Sequence, residues 1–532
     1  MTKNIAMHSI GATRGPRRRP ASLASVTVGS ALALALALGM PAYAEPKGDV
    51  TIALPNLSQL FDPTSMVGAT PHMDYDFLFD GLINVGKDGK YPALAESWVI
   101  SPDGKQIDFK LRKNVKFHNG DAFTADDVKF TFDRVMAPDS KHAYRKGFIE
   151  SVDRIEVVDA HTARFVLKQP WPAFFTTTRY ALTPIAPKAY FEKVGAAGFQ
   201  ANPVGTGPFK LAGLKAGEWT KYEANPAYWN GAPTIKTVTQ LLVKEPFTRY
   251  AMLERGEADI VSGLTGPLLE RSRKNSDVRI AYSRYSGTSG IMFNKDLFPE
   301  SADKRVRLAI GHAINRKDIA EKIQGGVCEP ATSMFTPGTF GFLEGLPQVK
   351  YDPAKAKALL KEAGVKPGTK VTFTLHTQSF VAVPNAPQVL EAVAGNLEAV
   401  GFDVERVSVD NSAWLAMMRG NKPTGIFYTP ISIPDDGGEV INSYFVSWSG
   451  WTARSVQNPE YDRIFKTQIQ TVDPKERTKI LQSFAKMEAE NVENLPLLWC
   501  HTPFAVSNKR IKEWQPALGS GYHTTMRSLR LK

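Results

Sequence analysis

The sequence predicts an α/β protein built as two lobes with a cleft between them, and three observations carry that expectation. Strand and helix signals alternate along the whole chain after its first 44 residues. The first half is rich in antiparallel hairpins, whereas the second is rich in strand-helix-strand crossovers, which imply parallel strands. At 532 residues there is material for more than one core. Clefts between domains are the usual place for small ligands.

The first 44 residues read as a secretion signal. Lys3, Arg14, Arg17, Arg18 and Arg19 form a basic start without an acidic residue. An apolar stretch from Val26 to Met40 follows, and Ala42-Tyr43-Ala44 supplies a small-x-small cleavage pattern, so the mature chain is expected to begin at Glu45. The paired arginines raise twin-arginine export, but the residues after them fit it poorly, and general secretion is expected. No later segment is apolar for the 18 or so residues a membrane crossing needs. Removing the five positive residues takes the formal net charge from +12 to +7. No Lys/Arg run with interleaved aromatics accompanies that mild excess, which argues against nucleic acid. The two cysteines, Cys328 and Cys500, are free to pair or to stay reduced; spacing does not decide it.

In chain order, Asp49–Leu54 reads as a first strand. Trp98–Ile100 and Ile107–Leu111 read as a hairpin around Ser101-Pro102-Asp103-Gly104-Lys105, since Ile107, Phe109 and Leu111 alternate with polar residues. A helix is expected over Ala125–Met136, with Thr124 and Asp127 as a capping box and Val128, Phe132 and Val135 on one face. A second hairpin is expected at Ile155–Val158 and Ala163–Leu167. Later, Asp352 caps a helix that has Pro353 at its first position and Gly364 at its end. Val371–Leu375, a helix from Ala386 to Val400 and Phe402–Val407 make a crossover. A late helix starts at Asp473-Pro474, and Leu495–Trp499 reads as a buried strand.

Searching for chemistry excludes more than it finds. There is no His-Glu-x-x-His, Cys-x-x-Cys or Gly-x-Ser-x-Gly. The histidines are scattered without metal-ligand spacing, so neither a metal nor a cofactor is expected. Gly81 to Asp88 matches a phosphate-binding loop except at its last position, and reads better as a tight turn. Val204-Gly-Thr-Gly-Pro-Phe209 suits a bend or a ligand loop. Tyr428, Trp448 and Trp451 flank Ile431–Gly438, which reads as a loop with aromatic walls suited to ligand capture, or as ordinary core.

Several blocks together carry a family resemblance. They are Leu94-Ala-Glu-Ser-Trp98 running on to Phe117-His118-Asn119-Gly120, Phe123-Thr-Ala-Asp-Asp127, Asn202-Pro-Val-Gly-Thr-Gly-Pro-Phe209, Asn225-Pro-Ala-Tyr-Trp-Asn-Gly231 and Gly256-Glu-Ala-Asp-Ile260. Phe293-Asn-Lys, Arg305-Val-Arg-Leu-Ala309, Ala313-Ile-Asn-Arg316 and Tyr351-Asp-Pro-Ala-Lys-Ala356 extend them. The chain thus resembles the extracellular solute-binding proteins of the dipeptide/oligopeptide/nickel family, family 5. The resemblance implies a type II periplasmic-binding-protein fold with an extra subdomain in lobe one. Lobe one would span 45–284, with the subdomain at about 82–200 and a return at 504–532; lobe two would span 285–503. It implies a monomeric periplasmic receptor, not an enzyme, that captures a peptide or other small organic solute between its lobes and delivers it to an ABC permease and ATPase. Ligands of the alternative reading are an opine, an oligosaccharide or a metal chelate, with a chemoreceptor role; a secreted hydrolase ranks below these.

Peptide binders of this family hold the peptide's amino terminus with an Asp after a Trp, where this chain has Thr429 and Ser432. They hold the carboxylate with an Arg and a Tyr, where this chain has Phe380 and Ala382. A buried charge without a partner costs several kcal/mol. A less charged or more apolar ligand is therefore expected, held by Phe380, Tyr428, Thr429, Pro430, Ile431 and Ser432. Asp435, Asp436, Trp448, Trp451 and Tyr75 complete the expected contacts.

Overall fold

The computed structural model describes residues 46–532 apart from 58, 66–71, 87–88, 143–144, 177–182, 265, 378–382, 384, 420–421, 433–435, 450–455, 517–525 and 527–528. The expected secretion signal lies outside the described residues. Among these residues no helix is long and apolar enough to cross a membrane.

Among the described residues, eleven strands form one continuous sheet. One end is built around Asp49–Leu54, which pairs in parallel with Thr237–Leu242 and Ile260–Ser262. Trp219–Ala224 and Phe209–Lys215 extend that end antiparallel. At the other end Lys370–His376 lies parallel to Asp403–Val409 and to Ile426–Ser432. The Ala386–Ala399 helix makes the crossover between the first two, burying Val389, Val393 and Leu397 as the apolar spacing requires.

Two long neighbouring strands join the ends. Val278–Phe293 and Asn494–Ser507 run antiparallel, the second continuing well beyond the expected Leu495–Trp499 because nearly every residue in it is buried. Their register runs from Val278↔Ser507 to Ser283↔Thr502, breaks, and resumes at Gly287↔Cys500. Three residues on one strand thus oppose His501 alone. Tyr285 takes a left-handed φ of 51°, and its amide donates to His501 Nδ1 at 2.8 Å. A non-glycine residue held at positive φ marks a bulge that the surroundings enforce. Beside it, Cys328 of the short Cys328–Pro330 strand stands directly opposite Cys500 in an antiparallel pairing, with 4.0 Å between Cα atoms, and the two form a disulfide. The pairing that spacing left open is settled by strand register.

A smaller four-stranded sheet takes the order Ala95–Ile100, Gln106–Leu111, Thr162–Leu167, Val152–Asp159. The Ala125–Met136 helix packs on it as its apolar face dictates, with Phe109, Phe132, Phe165 and Phe174 in one core. Asp127 accepts from the Thr124 amide at 2.8 Å and from its hydroxyl at 3.2 Å, closing the helix start.

Residues from three of the blocks that carry the family resemblance meet around Asp80 in one buried network. The Asp80 carboxylate accepts from the Thr206 hydroxyl (2.9 Å), the Tyr228 hydroxyl (2.8 Å) and the Trp229 indole (2.8 Å). The His118 ring spans Gly205 and Gly207: Nδ1 accepts from the Gly205 amide at 3.2 Å, and Nε2 faces the Gly207 carbonyl at 3.0 Å. Burial pushes this imidazole down to about 4. The two glycines are required for close approach, not for unusual angles. A Cβ on Gly205 would lie 2.0 Å from the Leu78 carbonyl oxygen, and one on Gly207 would lie 2.4 Å from the Leu78 carbonyl carbon. Val204–Phe209 is therefore scaffold, and Ile83–Gly86 with Gly89–Pro92 form a hairpin in place of a nucleotide loop.

Candidate functional site

Ile426–Ser432 is a strand of the large sheet, and residues 433–435 lie outside the described ones. The expected Ile431–Gly438 loop needs correction at both ends: Ile431 and Ser432 end a strand, and Gly437 opens a helix. Tyr428, Thr429, Pro430, Ile431 and Ser432 belong to a strand paired with Gly287–Phe293, and Gly437–Tyr444 is a helix with Asp436 as its N-cap. Pairing along Gly287–Phe293 holds the backbone extended here despite the turn-forming composition of the residues that follow. Tyr428 is fully buried with its ring edge-on to His376 at 5.9 Å, and burial pushes its phenol upward. The Thr429 hydroxyl donates to the Gly290 carbonyl at 3.1 Å and lies 3.4 Å from Asn494 Nδ2. Pro430 and Ile431 are buried, and Ser432 pairs through its backbone with Gly287.

Asp436 is held by a buried ion pair. Its carboxylate oxygens each meet one terminal nitrogen of Arg477 at 2.7 Å, and one of them also accepts from the Gly438 amide at 2.7 Å. Gln468 Oε1 accepts from Arg477 Nε and Nη2 at 2.9 and 2.6 Å. Gly437 and Gly438 leave room for this cluster: a Cβ would sit 2.5 Å from the Phe335 ring or 2.6 Å from Gln468. The Gly437 amide donates to the Phe340 carbonyl at 2.9 Å, which brings Phe340 alongside.

Phe340 forms one wall of a cavity of about 240 Å³. Val472, Pro474 and Arg477 stand on the same side; Trp98, Ile100, Ile107, Trp171, Pro172 and Phe175 of the small-sheet unit stand opposite. Trp98 stacks on Phe175 with ring centroids 5.5 Å apart, and Arg477 lies 5.1 Å from the Phe340 ring centre. The turn at Gly104 touches the far side so closely that a Cβ there would come within 2.7 Å of Val472 Cγ2. Sequence reasoning nominated none of the residues lining this cavity. The run Trp171-Pro-Ala-Phe-Phe175 was the available signal, whereas Arg477 offered none, standing 41 residues from its partner.

The remaining nominated residues lie elsewhere or undescribed. Tyr75 is buried, and its hydroxyl donates to the Asp62 carbonyl at 3.0 Å. Trp448 is 46% exposed and packs edge-on against Phe465 with Lys466 near its face. Phe380, Ala382, Asp435 and Trp451 lie outside the described residues. Among the described residues no group of three His, Cys, Asp or Glu side chains is placed to hold a metal ion.

Comparison with known proteins follows the fold. Residues 90–451 match the family profile described as bacterial extracellular solute-binding proteins, family 5, middle region. The chain is 30% identical over 418 residues to di/tripeptide-binding protein 2 of Pseudomonas aeruginosa, covering 74% of this chain and 77% of that one. It is 29% identical over 486 residues to the glutathione-binding protein GsiB of Salmonella choleraesuis, covering 89% and 91%. The substrate-binding protein CtaP of Listeria monocytogenes superimposes with a TM-score of 0.81 at 24% identity, over 92% of this chain and all of that one.

Proposed function

This chain belongs to the bacterial extracellular solute-binding proteins of family 5, and on that premise we propose how it takes up its cargo. It is a solute-binding receptor of an ABC importer. In our reading it works in the periplasm after cleavage behind Ala44, as a monomer that presents loaded cargo to a permease and its ATPase. It turns nothing over and needs neither metal nor cofactor. The cargo is a peptide or another small organic solute, less charged than a free dipeptide; the relatives named for di- and tripeptides and for glutathione support a peptide first.

One observation carries the mechanism. The two ends of the large sheet are joined by Val278–Phe293 and Asn494–Ser507, and the register of that pair breaks at Ser283–Gly287. The lobes divide there: 45–284 with 504–532 on one side, 285–503 on the other, and the unit at about 82–200 as a subdomain of the first. A ligand that touches both lobes favours their closed arrangement by its differential affinity for it. Phe380, Ser432 and Asp435 remain proposed contacts, with Thr429 and Asp436 as positioning residues behind them.

Native mass spectrometry of the mature protein, followed by mass analysis after denaturation, tests this. A released small organic molecule whose addition back lowers the radius of gyration in X-ray scattering is the expected result. A saturating ligand that leaves that radius unchanged refutes the closing mechanism.

A further inference from the structure

We propose that the cavity between Trp98, Trp171 and Phe175 on one side and Phe340 and Val472 on the other is a subsite for an uncharged aromatic or branched apolar group of the cargo. This rests on the receptor reading above and adds the chemistry of one part of the ligand.

Size is the first argument. A cavity of about 150 Å³ lined by apolar side chains suffices for benzene, and this one measures about 240 Å³, enough for a bicyclic ring. Charge is the second. Arg477 is the charged residue in the lining, and its guanidinium is satisfied by Asp436 and Gln468. The wall therefore offers no net charge to a carboxylate or an ammonium, and a buried ion there would lack a partner. Aromatic faces such as Trp98 stacked on Phe175 favour another ring. Position is the third. Phe340 is hydrogen-bonded to Gly437, so the cavity adjoins the start of the Gly437–Tyr444 helix, whose N-cap is Asp436. Its two walls also come from different units, so a group lodged between them is contacted by both.

Two substitutions fill the cavity from opposite sides at positions outside the packed cores. Val472→Trp acts from the loop before the Pro474–Asn491 helix, and Ile100→Trp acts from the edge of the small sheet. Binding of indole, Ala-Ala-Ala and Ala-Trp-Ala is measured by calorimetry and ligand-observed NMR, with circular dichroism confirming the fold of each variant. Wild-type protein is expected to bind indole. Each filled variant should lose at least about tenfold in indole affinity, in line with what a reshaped apolar pocket discriminates, and should bind Ala-Ala-Ala as wild type does. Indole binding that is undetectable at millimolar concentration, or unchanged in both folded variants, overturns the subsite. If both tripeptides bind equally well to wild type and to both variants, the receptor reading stands and the subsite falls. If indole binds and is lost on filling while neither tripeptide binds, the subsite stands and the peptide part of the receptor reading falls.

Discussion

The Asp436 carboxylate meets Arg477 through two parallel hydrogen bonds of 2.7 Å, with both side chains at or below 1% exposure. The pair ties the start of one helix to the side of another and backs one wall of the cavity. Removing one partner strands the other without water, at a cost of about 3–5 kcal/mol. Arg477→Met is therefore expected to lower the unfolding free energy by that amount in urea titrations. The double variant Asp436→Leu/Arg477→Met should recover a substantial part of it. Equal losses in the single and double variants would contradict the assignment.

His118 gives the stability a pH dependence. Its folded value lies near 4, below the ordinary 6.5, because the ring is buried between Gly205 and Gly207. Below pH 6.5 the unfolded chain takes up a proton that the folded chain refuses until about pH 4. Stability is thus complete above pH 6.5 and falls toward pH 4, by at most about 1.4 kcal/mol per unit for this group. His142 and His376, also pushed down to about 4 by burial, add in the same direction. Urea midpoints between pH 7.5 and 4.5 should drop less steeply in His118→Gln than in wild type.

Gly205→Ala tests the close approach of two backbones. The new methyl would meet the Leu78 carbonyl oxygen at 2.0 Å, and backbone on both sides leaves little room to yield. A loss at or beyond the upper end of the roughly 1–3 kcal/mol typical of overpacking is expected. Gly217→Ala is a useful contrast: a methyl there meets nothing within 4 Å, and only its φ of +70° is strained. Thermal melts should place Gly205→Ala well below Gly217→Ala.

The Cys328–Cys500 bond closes a loop with a sequence separation of 172. Constraining so long a loop in the unfolded chain is worth about 2–5 kcal/mol. Cys328→Ser/Cys500→Ser should unfold at correspondingly lower guanidinium concentration, and reductant should shift wild type but not the double variant. Thiol titration of denatured, unreduced wild type should find no free thiol.

Local physics made most elements legible. The Ala125–Met136 helix falls where the Thr124–Asp127 box and the Val128/Phe132/Val135 stripe put it. Asp352-Pro353 and Asp473-Pro474 open helices as their caps require. Ile431 and Ser432 are harder to read: the turn residues after Ser432 argue for a loop, and pairing with Thr288 and Gly287 of a distant strand overrides them. The cavity was least legible. Trp98 and Arg477 are far apart in sequence, neither carries a motif for the other, and only the folded arrangement places them around one space.

The two-strand connection also determines where motion can be read. If the lobes close as proposed, a hydrogen-bonded ribbon that bends across its plane more easily than it shears within it would concentrate the rotation at Ser283–Gly287, next to the point that Cys328 staples to Cys500. Displacement then grows with distance from that fulcrum, as along a lever arm. The Gly104 turn and Val472 touch across the two units that would move against each other. A donor–acceptor dye pair attached near those two positions would turn the receptor into an optical sensor of its own cargo, while dyes beside His501 would stay nearly silent.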